Sequence, residues 1–198
     1  MIWVVGSRGM LGTELCRLFE SEGVEHVGSD REVDILDPAA LAVFAAGTDK
    51  AISWIVNCAA YTAVDKAEEE AELCQRLNVE GPRNLAGLAE RIGAAILHIS
   101  TDYVFDGNGS RPYREDDAVG PTGVYGKTKA EGEVAVREAC RRAVIVRTAW
   151  LYGKDGPNFV YTMLRLMRQK DSIGVVADQL GTPTWARDLA GAILAILR

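Results

Sequence analysis

Ile2-Trp3-Val4-Val5-Gly6-Ser7-Arg8-Gly9-Met10-Leu11-Gly12 begins with four apolar residues and continues into three glycines spaced by two. The first four residues read as a buried strand, and the amphipathic run over about 10–22 reads as a helix. A strand that passes so quickly into a helix needs glycine, which turns the chain tightly and lets the helix lie close on the strand. The same bare backbone lets a pyrophosphate approach the free N–H groups at the helix start. A glycine spacing alone is a weak signal; a strand before it and a helix after it supply the required context.

Outward from that turn, short apolar runs alternate with longer amphipathic ones. Strands are predicted at 25–28, 54–57, 95–100, 144–147 and 173–176, and helices at 38–46, 64–77, 82–91, 124–140, 159–169 and 185–197. Pro38 suits the first turn of its helix. The alternation predicts an α/β fold, a doubly wound parallel sheet of the Rossmann type with helices on both faces. Crossovers in such a fold are right-handed, and ligands bind at the carboxyl ends of the strands near the switch point. No repeat, low-complexity run or flexible linker divides the 198 residues, so 1–198 is expected to be one dinucleotide-binding domain. Residues 106–121, which hold Gly107, Gly109, Pro112, Gly120 and Pro121, read as a loop over the site.

Apolar residues make up 48 % and charged residues 25 %, the balance of a globular protein. A net charge of −6 disfavours broad attraction to nucleic acid or to an anionic membrane, so an anionic ligand needs a local site. No apolar run approaches the roughly 20 residues that span a bilayer, and the N-terminus enters a strand with no basic leader. Cys16, Cys58, Cys74 and Cys140 form no C-x-x-C pair and read as reduced, buried thiols, which predicts a cytoplasmic protein. Glu68-Glu69-Glu70 and Glu72 read as a solvated helix face, with no His or Cys at ligand spacing to make a metal site. His26 and His98, in apolar strands, read as structural. Trp185, Leu189, Ile193 and Leu197 recur at helical spacing and read as packing residues first and as an oligomer contact second, the contact a homodimer would use.

Asp30 follows the second strand, where an acid bonds the adenosine ribose hydroxyls of a dinucleotide. A carboxylate there repels a 2′-phosphate, whereas Arg8 and Arg31 beside it offset the repulsion, so NADPH is favoured and NADH stays open. Tyr125-Gly126-Lys127-Thr128-Lys129 gives Y-x-x-x-K on a predicted helix, which puts Tyr125 and Lys129 on one face. An adjacent ammonium lowers a phenol pKa from about 10, and such a tyrosine hands a proton to a carbonyl oxygen as hydride reaches carbon. Thr101 ends the fourth strand, where its hydroxyl can bond a substrate oxygen and orient Tyr125.

Together these residues resemble the extended short-chain dehydrogenase/reductase superfamily and, within it, the dTDP-4-dehydrorhamnose reductases. The resemblance is carried by Gly6 to Gly12, Asp34-Ile35-Leu36-Asp37, the run from Asn57 to Glu68, Asn78-Val79, Val124 to Lys129, Arg147 to Gly153 and Asn158-Phe159. Its most diagnostic parts are the run S-T-D-Y-V-F-D-G from Ser100 and the run D-Q-x-G-x-P-T from Asp178. The resemblance implies that Thr101, Tyr125 and Lys129 are catalytic; Tyr125 and Lys129 are also expected to contact the cofactor, Lys129 at its ribose hydroxyls. It implies a pyrophosphate turn of Gly6, Gly9, Leu11 and Gly12, with Arg8 and Met10 inside it, a ribose contact at Asp30 with Arg31 beside it, and an adenine edge at Asp34 and Ile35. Ala59, Ala60 and Tyr61 are implied to line the cofactor's pyrophosphate and ribose, and Ala149 to lie beside the nicotinamide. Thr101, Asp102, Tyr103, Trp150 and Asn158 are implied on the sugar side. The implied reaction is hydride transfer from NAD(P)H to the C4 ketone of a nucleotide-activated 6-deoxy sugar, with Tyr125 as proton donor. The family continues beyond the D-Q-x-G-x-P-T run into a small lobe that grips the nucleotide. That C-terminal substrate lobe is expected to be largely missing here, with only its beginning near 153–198. A non-catalytic dinucleotide-binding or regulatory subunit, and an epimerase or dehydratase of the same superfamily, are the alternatives.

Overall fold

Strand β1 (Ile2–Val5) is buried along its whole length because helices cover both faces of its sheet. Trp3 and Val5 point to one side and Ile2 and Val4 to the other, the period-two alternation of an extended chain. The computed structural model describes residues 1–198. After α1 (Met10–Ser21), β2 (His26–Ser29), α2 (Pro38–Ala46), β3 (Trp54–Asn57), α3 (Ala71–Gln75), α4 (Gly81–Ile92) and β4 (Ala95–Thr101) come α5 (Val124–Ala139) and β5 (Ala143–Thr148). The five strands are all parallel, in the order β2–β1–β3–β4–β5. The order reverses between β1 and β3, and the crevice at a ligand-binding switch point opens there.

The chain then forms β6 (Leu151–Tyr152), α6 (Phe159–Gln169), β7 (Thr184–Trp185) and α7 (Ala186–Leu197). Helices α1 and α7 cover one face of the sheet. Leu11, Leu15 and Phe19 of α1, four apart, meet Leu189 and Ile193 of α7 over Val4, Val56 and Leu97. On the other face α2, α4 and α5 contribute Leu41, Leu85 and Val136 against Trp3, Ile55 and Ile96. The doubly wound sheet with helices on both faces expected above is thus the fold found. Leu189 and Ile193 are packing residues, whereas Trp185 stays 39 % exposed.

Two expectations need correction. Residues 64–77 do not form one helix: a 3-10 turn at Asp65–Glu68 precedes α3, and Arg76–Glu80 is π-helical and runs directly into α4. Pro82 explains the wider turn, since it has no N–H for the Asn78 carbonyl and its ring would crowd that group. The Asn78 carbonyl instead faces Gly132 of α5, where a Cβ would lie 2.1 Å from its oxygen. Residues 173–176 form no strand. Val175 and Val176 are more than half exposed, because no strand offers this apolar run an edge to pair with. The pairing that exists in this part of the chain is instead a two-residue parallel ladder, Leu151 with Thr184 and Tyr152 with Trp185.

Candidate active site

The glycine turn hooks the end of β1 to β2, with the backbone N–H groups of Gly6 and Ser7 both donating to the Ser29 carbonyl at 2.8 and 2.9 Å. Gly6 sits at φ +77, a left-handed conformation that only glycine adopts without strain. A Cβ on Gly12 would lie 2.2 Å from the Gly6 carbonyl oxygen, so α1 can start this close to the turn only without one. Gly9 precedes α1 and no side chain caps it, which leaves the first N–H groups of the helix open. Leu11 is buried beneath the turn, and the Met10 side chain packs towards Gly153. A bare, uncapped helix start of this kind fits a pyrophosphate.

At the end of β2 the Asp30 carboxylate accepts the Arg8 and Arg31 backbone N–H groups at 3.1 and 2.9 Å. The Arg8 guanidinium pairs with Glu32, a partner the sequence reading did not name. Glu32 also accepts the Asp30 N–H at 2.7 Å, and these backbone donors hold its carboxyl below the usual range. The Arg31 side chain is exposed. Asp34 accepts the Leu36 N–H at 2.9 Å, and Ile35 is buried with its carbonyl bonded to Asn84.

Beyond β3, Ala59, Ala60 and Tyr61 form a half-buried loop held from beneath by two buried amides. Asn57 Oδ1 accepts the Ala59 N–H at 3.0 Å. Asn78 accepts the Tyr61 N–H at 2.9 Å and donates to the Tyr61 carbonyl and to Thr128 Oγ1. One side chain thus ties this loop to α5. The acidic run is not simply a solvated face: Glu70 accepts the Tyr61 hydroxyl, and Glu68 accepts the Val124 N–H at 2.8 Å. Helix α5 has no side-chain cap of its own, so Glu68 supplies one from a distant segment, one residue ahead of Tyr125.

Thr101 ends β4 and Tyr125 lies in the first turn of α5. The Thr101 hydroxyl donates to Asp102 at 3.0 Å and accepts the Tyr103 N–H at 3.2 Å. The Tyr103 ring, 42 % exposed, stands edge-on to Tyr125 at 5.6 Å between centroids. Burial raises the Asp102 carboxyl above its ordinary value. An adjacent Lys129 is expected to lower the Tyr125 pKa, but the shift in the structure is upward. Burial pushes Tyr125 up to about 12 against the opposing pull of Thr101, while the Lys129 amine is turned into β4, 2.6 Å from the Ile99 carbonyl oxygen. Lys129 is 2 % exposed and borders His98.

Ala149 is half-buried just past β5, and the following Trp150 is exposed at φ +47 with its indole against Gly181. The Asn158 side chain is engaged in local structure: its oxygen caps α6 at the Tyr161 N–H, and its NH2 bonds the Gly153 and Gly156 carbonyls. Glu133, one turn beyond Lys129, is buried and takes two hydrogen bonds from Arg147 at 2.8 and 2.7 Å. No sequence motif marks that pair, because its members lie on different elements.

Residues 1–198 match the sequence family described as the RmlD substrate binding domain. The dTDP-4-dehydrorhamnose reductase of Streptomyces griseus is 50 % identical over 197 residues, which cover 98 % of this chain and 64 % of that protein. The crystal structure of a dTDP-4-dehydrorhamnose reductase from Clostridium acetobutylicum superposes with a TM-score of 0.94 at 44 % identity, covering 99 % of this chain and 69 % of that one. The structure of a dTDP-4-dehydrorhamnose reductase from Bacillus anthracis in complex with NADP gives a TM-score of 0.93 at 38 % identity, over 99 % and 69 % of the two chains. The chain therefore spans about two thirds of the length of these relatives.

Proposed function

The chain belongs to the RmlD substrate-binding-domain family, and on that premise we propose that it reduces the C4 ketone of a nucleotide-activated 6-deoxy sugar with NADPH, taking dTDP-4-dehydrorhamnose to dTDP-L-rhamnose. The observation that carries the reading is the seat of Tyr125, edge-on to Tyr103 just past Thr101 at the carboxyl end of β4, on the side of the sheet end where the glycine turn opens. When bound, the dinucleotide supplies the hydride. The bare turn from Gly6 to Gly12 and the open start of α1 would hold its pyrophosphate, and Asp30 its adenosine ribose.

The residues of the chain supply the proton and the alignment. A pKa of about 12 keeps Tyr125 a phenol at neutral pH, so it meets the ketone as an acid. As negative charge develops on the C4 oxygen, Tyr125 Oη gives up its proton to it, and the Thr101 hydroxyl turns its one proton from Asp102 to stabilise the phenolate left behind. Tyr103 and Trp150, both more than 40 % exposed near this end of the sheet, offer aromatic surface to a sugar. We place the enzyme in the cytoplasm, where four free thiols persist.

The test is NADPH oxidation followed by absorbance, with the 4-keto sugar nucleotide generated in situ and Tyr125→Phe as control. A general acid contributes roughly 100- to 10,000-fold, so the variant should lose at least ~100-fold in kcat while binding NADPH as before. Equal rates in variant and wild type would refute the role of Tyr125. A protein that binds NADPH but never consumes it would refute the reductase and favour a dinucleotide-binding subunit.

A further inference from the structure

The Lys129 amine has two neighbours on β4: it donates to the Ile99 carbonyl oxygen at 2.6 Å and lies 3.3 Å from His98 Nε2. His98 is wholly buried, and its other ring nitrogen, Nδ1, lies 3.0 Å from Asn57 Nδ2. The orientation of the Asn57 amide is set elsewhere, because its oxygen already accepts the Ala59 N–H. The Asn57 group facing His98 is therefore a donor, and His98 Nδ1 must be the bare, accepting nitrogen. The ring is neutral, since burial and the neighbouring Lys129 both push its pKa well below normal. A neutral ring with a bare Nδ1 carries its proton on Nε2, and that N–H points at Lys129 Nζ. An ammonium has no lone pair to receive it, whereas a neutral amine does.

We propose that His98, oriented by Asn57, is a positioning residue for Lys129: it holds Nζ against β4 as a neutral amine and turns the ammonium out towards the cofactor cleft. Only the occupant of that cleft rests on the function proposed above. The other groups facing Lys129 favour its charge, namely Glu133 on α5, Cys58 beyond β3 and Cys74 on α3. Burial outweighs them and brings Lys129 down to about 8, so both forms are populated near neutral pH. A ligand oxygen in the cleft then replaces His98 as the partner of the ammonium, and Lys129 takes up a proton from solvent as that ligand binds.

Nuclear magnetic resonance of protein labelled with 15N at histidine and lysine reads both groups without turnover. In the wild type His98 should show a protonated Nε2 and a bare Nδ1; the opposite tautomer would overturn the proposal. In His98→Gln the side-chain oxygen can turn to accept from Lys129, and the Lys129 Nζ titration should move up by about one unit, a tenfold gain in proton affinity. An unmoved midpoint in folded His98→Gln would also overturn it. If that variant does not fold, the wild-type tautomer decides alone. A chain that binds no dinucleotide would leave both readings intact while removing the reductase, so the two failures are distinguishable.

Discussion

Replacing Glu133 by alanine should destabilise the protein by about 3 kcal/mol, the low end of the cost of removing one partner from a buried ion pair. The Glu133 side chain is 2 % exposed and meets the Arg147 guanidinium as a fork, with Nε on one oxygen and Nη2 on the other. Arg147 is 17 % exposed and lies 4.9 Å over the Phe105 ring, so without Glu133 it recovers only part of its hydration. The bond from Arg137 at 3.3 Å adds little, because that side chain is 55 % exposed. With a urea m-value of roughly 3 kcal/mol per M, the midpoint should fall by about 1 M in Glu133→Ala. Glu133→Gln keeps the shape and one acceptor and should lose about half as much. The effect is also pH-dependent. Burial raises the Glu133 carboxyl, but Arg147, together with its neighbours Arg137 and Ser100, outweighs it and the net pKa is lowered. A depressed carboxylate stabilises fully above its unfolded pKa, about 4.3, and loses that contribution as pH falls through the folded value. The gap between wild type and Glu133→Gln should therefore be widest near neutrality and close below about pH 4. A midpoint shift in Glu133→Ala of less than about 0.2 M at pH 7 would refute the reasoning.

Two further substitutions probe the cofactor turn. Gly12→Ala places a Cβ 2.2 Å from the Gly6 carbonyl oxygen; at about 1–3 kcal/mol of overpacking strain it should weaken NADPH binding roughly 5- to 150-fold, and unchanged calorimetric affinity would contradict the close approach. Asp30→Asn keeps an acceptor for the Arg8 N–H but removes the charge proposed to face a 2′-phosphate. The ratio of NADPH to NADH affinity should rise by about 1 kcal/mol, or roughly fivefold; a ratio that falls would show that Asp30 does not face the phosphate.

What the sequence made legible was local. The passage from Ile2 through Gly12 announces a strand, a tight turn and a helix within eleven residues, and the strand–helix alternation carries the layering of the sheet. The spacing of Tyr125 and Lys129 likewise follows from helix geometry. What stayed hidden depends on partners far away in the chain. Glu133 looks like any helix acid until Arg147 comes beside it, and His98 looks like a packing residue until Asn57 and Lys129 bracket it. Glu68 is indistinguishable from its acidic neighbours except that α5 begins over it. The apolar run at 173–176 failed for the converse reason, since a strand is a relation between two segments and its partner is not there. The Tyr125 pKa rises where its spacing from Lys129 predicts a fall, because burial is the largest influence on it and no spacing reveals burial.

Trp150 holds a backbone conformation rare for a bulky residue, and its indole lies where any side chain on Gly181 would collide, 2.8 Å from a Cβ there. The Thr184 N–H closes the same contact on the Trp150 carbonyl at 3.3 Å. The run through Trp150 and the run from Asp178 to Thr184 are thus two halves of one surface, although nearly thirty residues separate them. For anyone recombining relatives of this protein, they form a single heritable block. A crossover between them would pair one parent's tryptophan with the other's floor, and productive chimeras should be those that inherit both segments from the same parent.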